Sequence, residues 1–473
     1  MSGASPGQLA AVVLVYATQA LAGWLVLSAL RPPADGSPWR PWLDPRRWSR
    51  ALLLGPALIA LQMLALNALG LAFGLGPILL PWWILALLAG VARRARSHPP
   101  GSSPAPAGVP VPLRSILLLV GLLFGAALVA GLWMPVHTGD AMNQFALNAR
   151  IFETHGSLAP EALKSLAIAG HVEYPPLVSL NEALLFLAGG PSRALVIKPF
   201  FALAFLAWML LVVETCFALL PAGAAAFLAL VALLAPAAAL AATDGYADLR
   251  LAATVLLLGL AGRGLWLRPG LRRLLLFLLC AVACALTKLE GVAVGIAAAA
   301  LPVAMTLRGR LRAATSAPVV LALLALVLAW PLYAHLHGLG QIALVHEKWH
   351  GAAGRLPRLP EVLGTMLLMA VDVGLTVRHW GLYWLVALAL ALWSLRDRAR
   401  RPAVALALLC GAAHLLLYAT VLAVTPADLE WHVTTAAPRL LLHVAPWALL
   451  AAALSGNASG RKASAFDSFT RGP

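Results

Sequence analysis

The sequence predicts an all-α fold, a polytopic membrane bundle of about 13 spanning helices, each needing roughly 20 apolar residues. Three observations predict it. The chain has 473 residues, of which 62% are hydrophobic, and its mean hydropathy is +0.88. Only 11% of the residues are charged, against about 25% in soluble domains. The charges that exist fall in short bursts between long apolar runs. A soluble fold has no way to cover that much apolar surface, whereas a bilayer removes the need. The net charge of +16 and the pI near 10.8 would suit a nucleic-acid binder if the cations formed one patch. Broken into bursts, they follow the positive-inside rule instead, and the partners they imply are anionic membrane lipids, not nucleic acid.

Spanning-length runs occur at 8–30, 51–74, 76–92, 114–134, 194–220, 223–243, 247–267, 273–288, 291–307, 314–334, 380–395, 402–425 and 438–455. Two shorter apolar stretches, 176–189 and 361–377, read as interfacial or re-entrant helices on the outer face. The Pro-, Ser- and Arg-rich stretch at 94–113 reads as a cytoplasmic linker. It divides an N-terminal three-helix segment, 1–93, from a membrane module at 114–455 with a long outer loop at 135–198; residues 456–473 form a tail. Residues 1–10 carry no Lys or Arg, so the first apolar run is expected to be a retained helix and not a cleaved signal. Cys216, Cys280, Cys284 and Cys410 all lie within apolar runs, which argues for packing and against disulfides or a zinc knuckle.

Alternating the helices puts every basic burst on one side: Arg31 to Arg50, Arg93 to Arg114, Arg263 to Arg273, Arg308 to Arg312, Arg396 to Arg401 and Arg461 to Arg471. The N-terminus is then outside and the C-terminus inside. Most of the 18 acidic residues gather near the other face, among them Asp140, Glu173, Glu182, Asp244, Asp248, Glu290, Glu347, Asp428 and Glu430. Acidic residues contribute little to topology, and a charge in an apolar context is costly without a purpose.

Four constellations on that face could carry chemistry. Asp140, just after a spanning run and before an amphipathic stretch, suits either a general base or a helix N-cap. The loop also holds Tyr174-Pro175-Pro176, a rigid kink. Asp244-Gly245-Tyr246-Ala247-Asp248 forms a turn whose two carboxylates, four residues apart, can face one cleft; capping or an Asp248 to Arg250 contact would also explain it. Lys288-Leu289-Glu290 interrupts an apolar stretch, as expected of a polar pathway or anion site at a broken helix. Near the last spanning run, Trp431-His432 precedes Arg439, whose guanidinium could clamp a phosphate or simply snorkel. Separately, His346-Glu347-Lys348-Trp349-His350 has the H-E-x-x-H form of zinc proteases, but Lys348 sets a cation beside the supposed metal and no third ligand follows.

In this order and with this shared sidedness, these motifs resemble the GT-C superfamily of membrane glycosyltransferases, in particular bacterial proteins similar to dolichyl-phosphate-mannose–protein mannosyltransferases. The resemblance runs from about Arg114 to Leu454 and rests on Gly139-Asp140, Tyr174-Pro175-Pro176-Leu177, Asp244 to Asp248 with Thr287 to Gly291, and Trp431-His432 through Arg439. It implies a multi-pass protein of the bacterial inner membrane that moves a sugar from a polyprenyl-phosphate-linked donor, with inversion, on the periplasmic or extracellular face. Asp140 would be the base, with Asp244 or Asp248 in support. Lys288, Glu290, Arg439, His432 and Tyr174 would meet the donor and its phosphate. The acceptor would be a glycan, lipid or protein. Asn148-Ala149-Arg150 departs from relatives that carry a Lys in this segment. No cofactor or metal site is implied, and the need for a divalent cation is left open. A transporter or flippase of a lipid-linked or anionic solute is the main alternative, and a zinc protease the third.

Overall fold

The structure, a computed structural model, describes residues 5–30, 44–96, 111–134, 138–139, 141–165, 172–190, 194–339, 352–424 and 428–456. Among these residues every regular element is helical and no strand occurs. Among the described residues, nine helices are long and apolar enough to cross a membrane, or ten if one bent pair counts as a span. That is fewer than the apolar runs suggest, and the causes are local. The run at 223–243 divides into two short helices, Ala222–Leu233 and Pro236–Ala241, because Pro236 has no N–H to give and holds Ala235 extended (φ −67°, ψ 112°). The run at 380–395 yields only the 12 residues of Tyr383–Ser394. The last run begins earlier than expected, as Leu429–Ala453, and bends by 50° between Ala437 and Arg439, where the sequence has a proline. The stretch at 361–377 is a 17-residue helix, Leu359–Leu375.

The chain forms two compact units. The first comprises Met1–Ser103, Leu128–Ala207 and Thr243–Ile342. Its helices are α1 (Pro6–Leu30), α2 (Pro45–Ala68) and α3 (Leu75–Arg96), then α4 (Leu147–His155), α5 (Pro160–Ser165) and α6 (Leu177–Gly189). They continue with α7 (Asp248–Leu267), α8 (Leu271–Thr287), α9 (Leu289–Ala298), α10 (Ala300–Leu307) and α11 (Ala313–Leu336). Helices α1 and α2 approach so closely that a Cβ on Gly55 would stand 1.7 Å from the Gln19 carbonyl oxygen, and one on Gly23 would stand 2.4 Å from that of Ala51. Small residues permit such contact where lipid supplies no hydrophobic drive to pair helices.

Helix α6 covers the stretch at 176–189 expected to be interfacial or re-entrant, and its burial sets it apart from a helix lying on a surface. A helix lying on a surface keeps one polar, exposed face, yet all residues of α6 but one are buried, and it packs against α1, α2 and α4. Its polar residues are paired inside. Asn181 accepts from Gln19 Nε2 at 2.8 Å and donates to the Pro56 and Leu177 carbonyls at 3.1 and 2.7 Å. The N-terminal helices therefore share a core with the later segments: α2 also packs on α7 and α8, and α11 packs on α8 and α9.

The second unit comprises Pro104–Ala127, Trp208–Ala242 and Ala343–Pro473. In it Leu359–Leu375, Tyr383–Ser394 and Arg401–Val424 pack around Leu429–Ala453. Tyr383 donates to the Ala445 carbonyl at 2.5 Å, and the rings of His414, Tyr418 and His443 lie nearly parallel. Along the chain, unit boundaries fall within Val111–Trp133 and Leu195–Leu219.

Candidate functional site

The site begins with a helical hairpin. Helices α7 and α8 are joined by only three residues, 268–270, so they run back along one another. At 1.5 Å per residue their 20 and 17 residues carry the chain about 30 and 25 Å from the connection. The first residue of α7 and the residue after α8 therefore come together, and these are Asp248 and Lys288. Lys288 Nζ lies 2.9 Å from Asp248 Oδ1, with the two side chains 4% and 1% exposed. Lys288 itself is extended (φ −159°, ψ 160°) and breaks the helix, which restarts as α9. Glu290, in the first turn of α9, brings Oε1 to 3.5 Å from the same ammonium. The turn fits against α8 only because residue 291 is glycine: a Cβ there would be 1.9 Å from the Cys284 carbonyl oxygen. One ammonium thus faces two carboxylates, one buried and one part-exposed.

One turn before Asp248, the loop at Asp244 is tied on both sides. Thr138 Oγ1 donates to the Asp244 carbonyl at 2.8 Å, and Lys198 Nζ donates to the Thr243 carbonyl at 3.2 Å. Gly245 adopts φ +82°, the left-handed conformation that lets the turn close. The Lys198 ammonium is buried within electrostatic range of the Asp244 and Glu182 carboxylates. Asp140 lies outside the described residues. Its neighbours do not: Thr138 is bonded to the Asp244 loop, its carbonyl accepts from the Met142 amide at 3.1 Å, and a π-helical turn spans Ala141–Ala146. π-Helical turns recur at functional sites.

Arg250 does not pair with Asp248. Buried, it turns the other way, with Nη1 3.4 Å from the Leu52 carbonyl, Nη2 3.3 Å from the Phe200 carbonyl, and the guanidinium 4.0 Å from the Phe200 ring centroid. The physical reason is in α2. Pro56 has no N–H, so the Leu52 carbonyl four residues earlier loses its helical donor, and Arg250 supplies one.

Of the residues singled out from sequence, Asp248, Lys288 and Glu290 are brought into one cluster, and Asp244 is anchored in the turn four residues before Asp248. Tyr174 is half-buried in a turn held from α11, where Trp330 Nε1 donates to the Glu173 carbonyl at 2.8 Å. Arg439 and His432 belong to the second unit, on Leu429–Ala453, with Arg439 half-buried. The His346 to His350 motif lies outside the described residues, as do most of the linker at 94–113 and nearly all of the tail. Among the described residues no group of three His, Cys, Asp or Glu side chains is arranged to hold a metal ion.

No match was found among protein-family models, curated proteins or solved structures.

The side chains themselves must carry the reading, and two that matter were not foreseen. Lys198 and Glu182 lie in apolar runs, and both are buried. The signal available was Asn181-Glu182 within an otherwise apolar 13-residue helix. Tyr16 belongs with them, donating to the Val196 carbonyl at 2.7 Å and lying within electrostatic range of Glu182 and Arg250.

Proposed function

We propose that this chain is a membrane glycosyltransferase of GT-C type that moves a sugar from a polyprenyl-phosphate-linked donor to an acceptor hydroxyl on the non-cytoplasmic side. The observation that carries the reading is the Thr138 to Asp244 bond. It joins Thr138, two residues before Asp140 in the chain, to the turn that leads into the Asp248–Lys288–Glu290 cluster. In this reading Asp140 takes the acceptor proton as the acceptor oxygen bonds to the anomeric carbon. The bond from that carbon to the phosphate oxygen breaks, and the lipid phosphate leaves with the electron pair. Asp244, facing Lys198, supports the site as a fixed negative charge.

The pairing reassigns one residue. Asp248 is buried against Lys288, which suits a positioning residue better than a base. Stabilisation of the leaving phosphate lowers the barrier, and Lys288, held between Asp248 and Glu290, is a candidate cation for it. Lys288 and Glu290 at a helix break also suit the alternative, a transporter or flippase of a lipid-linked or anionic solute.

The test is sugar transfer from a panel of polyprenyl-phosphate sugars by the purified protein, comparing wild type with Asp140→Asn. Loss of the base predicts a drop of about 10² to 10⁴. A folded Asp140→Asn protein that transfers at the wild-type rate rules out Asp140 as the base.

A further inference from the structure

The second unit holds a polar cluster that the proposed chemistry does not use. His414 stands near the middle of the membrane-length helix Arg401–Val424, and His443 near the middle of Leu429–Ala453. The two residues are 4% and 0% exposed. Gly411, one turn before His414, lets the helices close on each other: a Cβ there would meet Trp447 Cβ at 3.4 Å and Val444 Cγ1 at 3.6 Å. Ring centroids are 5.1 Å apart from His414 to Tyr418, 5.8 Å from Tyr418 to His443 and 6.3 Å between the two histidines.

The hydrogen bonds assign the protons. An indole N–H only donates, so the Trp447 Nε1 contact at 3.4 Å makes His414 Nδ1 an acceptor. His414 is therefore assigned as the neutral ring with its hydrogen on Nε2. His443 Nδ1 is bonded to the Tyr418 hydroxyl, a group that can donate or accept. A proton arriving on His414 Nδ1 would set one N–H against another, that of Trp447. A proton arriving on His443 instead finds the Tyr418 oxygen able to accept from it. Two buried cations 6.3 Å apart would repel, so the second ring stays neutral once the first is charged. Other ionisable groups near the pair are Cys410, one turn from His414, Arg439, one turn from His443, and Tyr383, whose hydroxyl is on the Ala445 carbonyl. Glu361 and Asp372, from the helix packed alongside, are exposed, and Arg355 and Arg358 lie in the segment that packs at the Val424 end. The helices Ala222–Leu233 and Pro236–Ala241, which also pack here, carry no ionisable side chain.

We propose that His414, Tyr418 and His443 form a binding site for a single proton, carried on His443 and supported by the Tyr418 oxygen while His414 stays neutral. Ionisable side chains buried within membrane helices are costly and mark proton relays and solute pathways. The site does not depend on the sugar-transfer reading, since its groups and its helices belong to the other unit.

The test uses the full-length protein in detergent, labelled with nitrogen-15 in its 12 histidines and followed by NMR from about pH 8 to about pH 5, the range in which histidine takes up protons. Ring-nitrogen shifts separate the two neutral tautomers from the imidazolium, and His414→Gln and His443→Gln assign the two signals. His414 is expected as the Nε2–H tautomer throughout, and His443 is expected to gain one proton as the pH falls. Tyr418→Phe keeps the ring stack and should weaken proton uptake at His443 about tenfold, the loss of one hydrogen bond to a charged group. Trp447→Phe removes the indole donor, so His414 should then compete for the proton. The wild-type titration decides the proposal even where a variant fails to fold. A hydrogen on His414 Nδ1 at pH 8, two imidazolium rings at once, or no change at His443 over the whole range would each overturn it. An unmoved His443 titration in folded Tyr418→Phe would do the same.

Discussion

Replacing Lys288 with methionine tests the buried cluster most severely. The substitution keeps the length and apolar stem of the side chain and removes only the ammonium. At an effective dielectric near 20, that ammonium attracts Asp248 at 2.9 Å by about 6 kcal/mol and Glu290 at 3.5 Å by about 5 kcal/mol. Desolvation and the mutual repulsion of the carboxylates oppose much of this. The net loss on breaking such a pair from one side is about 3–5 kcal/mol, chiefly because Asp248 is left charged and buried. Asp248→Asn alone should cost less, about 1–2 kcal/mol, since Glu290 remains to face Lys288. The double variant leaves only the part-exposed Glu290 without this ammonium and should recover part of the loss, with a coupling of at least ~2 kcal/mol. The assay is equilibrium unfolding in mixed micelles, followed by the fluorescence of the 16 tryptophans. If the two single losses simply add in the double variant, the cluster is not an interacting unit and the reasoning fails.

Other outcomes follow from the same contacts. Arg250→Met should cost about 2–4 kcal/mol, because the Leu52 and Phe200 carbonyls lose their charged donor and the ring its cation; adding Pro56→Ala should recover part of that by returning a helical N–H to Leu52, and an unchanged loss in the double variant would contradict this origin. Gly291→Val should cost more than ~3 kcal/mol by driving α9 away from Cys284, while Gly223→Ala, where a Cβ meets nothing within 4 Å, should be neutral or stabilise by up to about 1 kcal/mol; thermal unfolding in detergent separates the two. Lys198→Met should lower sugar transfer about tenfold or more by removing its charge from beside Asp244 and Glu182, one charge contact being worth ~1.4 kcal/mol or above; wild-type kinetics in a folded variant would remove Lys198 from the site.

Much of the fold could be read from the chain because a membrane helix leaves a strong mark. The apolar runs locate the long helices to within a few residues, and the Lys288 break is visible as a charged residue within such a run, followed by Glu290 and Gly291. The pairing of Lys288 with Asp248 was less visible, although the hairpin explains it: both stand about 20 residues from the connection at 268–270. What the sequence obscured was burial among equally apolar neighbours. Nothing in the composition of 176–189 separates a helix lying at an interface from α6, which is enclosed on nearly every side and buries Glu182. The partner of Arg250 was hidden for another reason. It depends on a carbonyl freed by a proline 194 residues earlier, a separation counted from their positions, and sequence shows missing donors only when the helices are already docked.

The central claim, that the chain consumes a lipid-phosphate sugar, is tested most directly by following the donor. The purified protein, reconstituted in vesicles, is incubated with a radiolabelled polyprenyl-phosphate sugar and an acceptor extract, and polyprenyl phosphate is measured against transferred label. The account predicts that the two appear in equal amounts. Intact donor, together with label accumulating unchanged inside the vesicles, would contradict it in favour of transport.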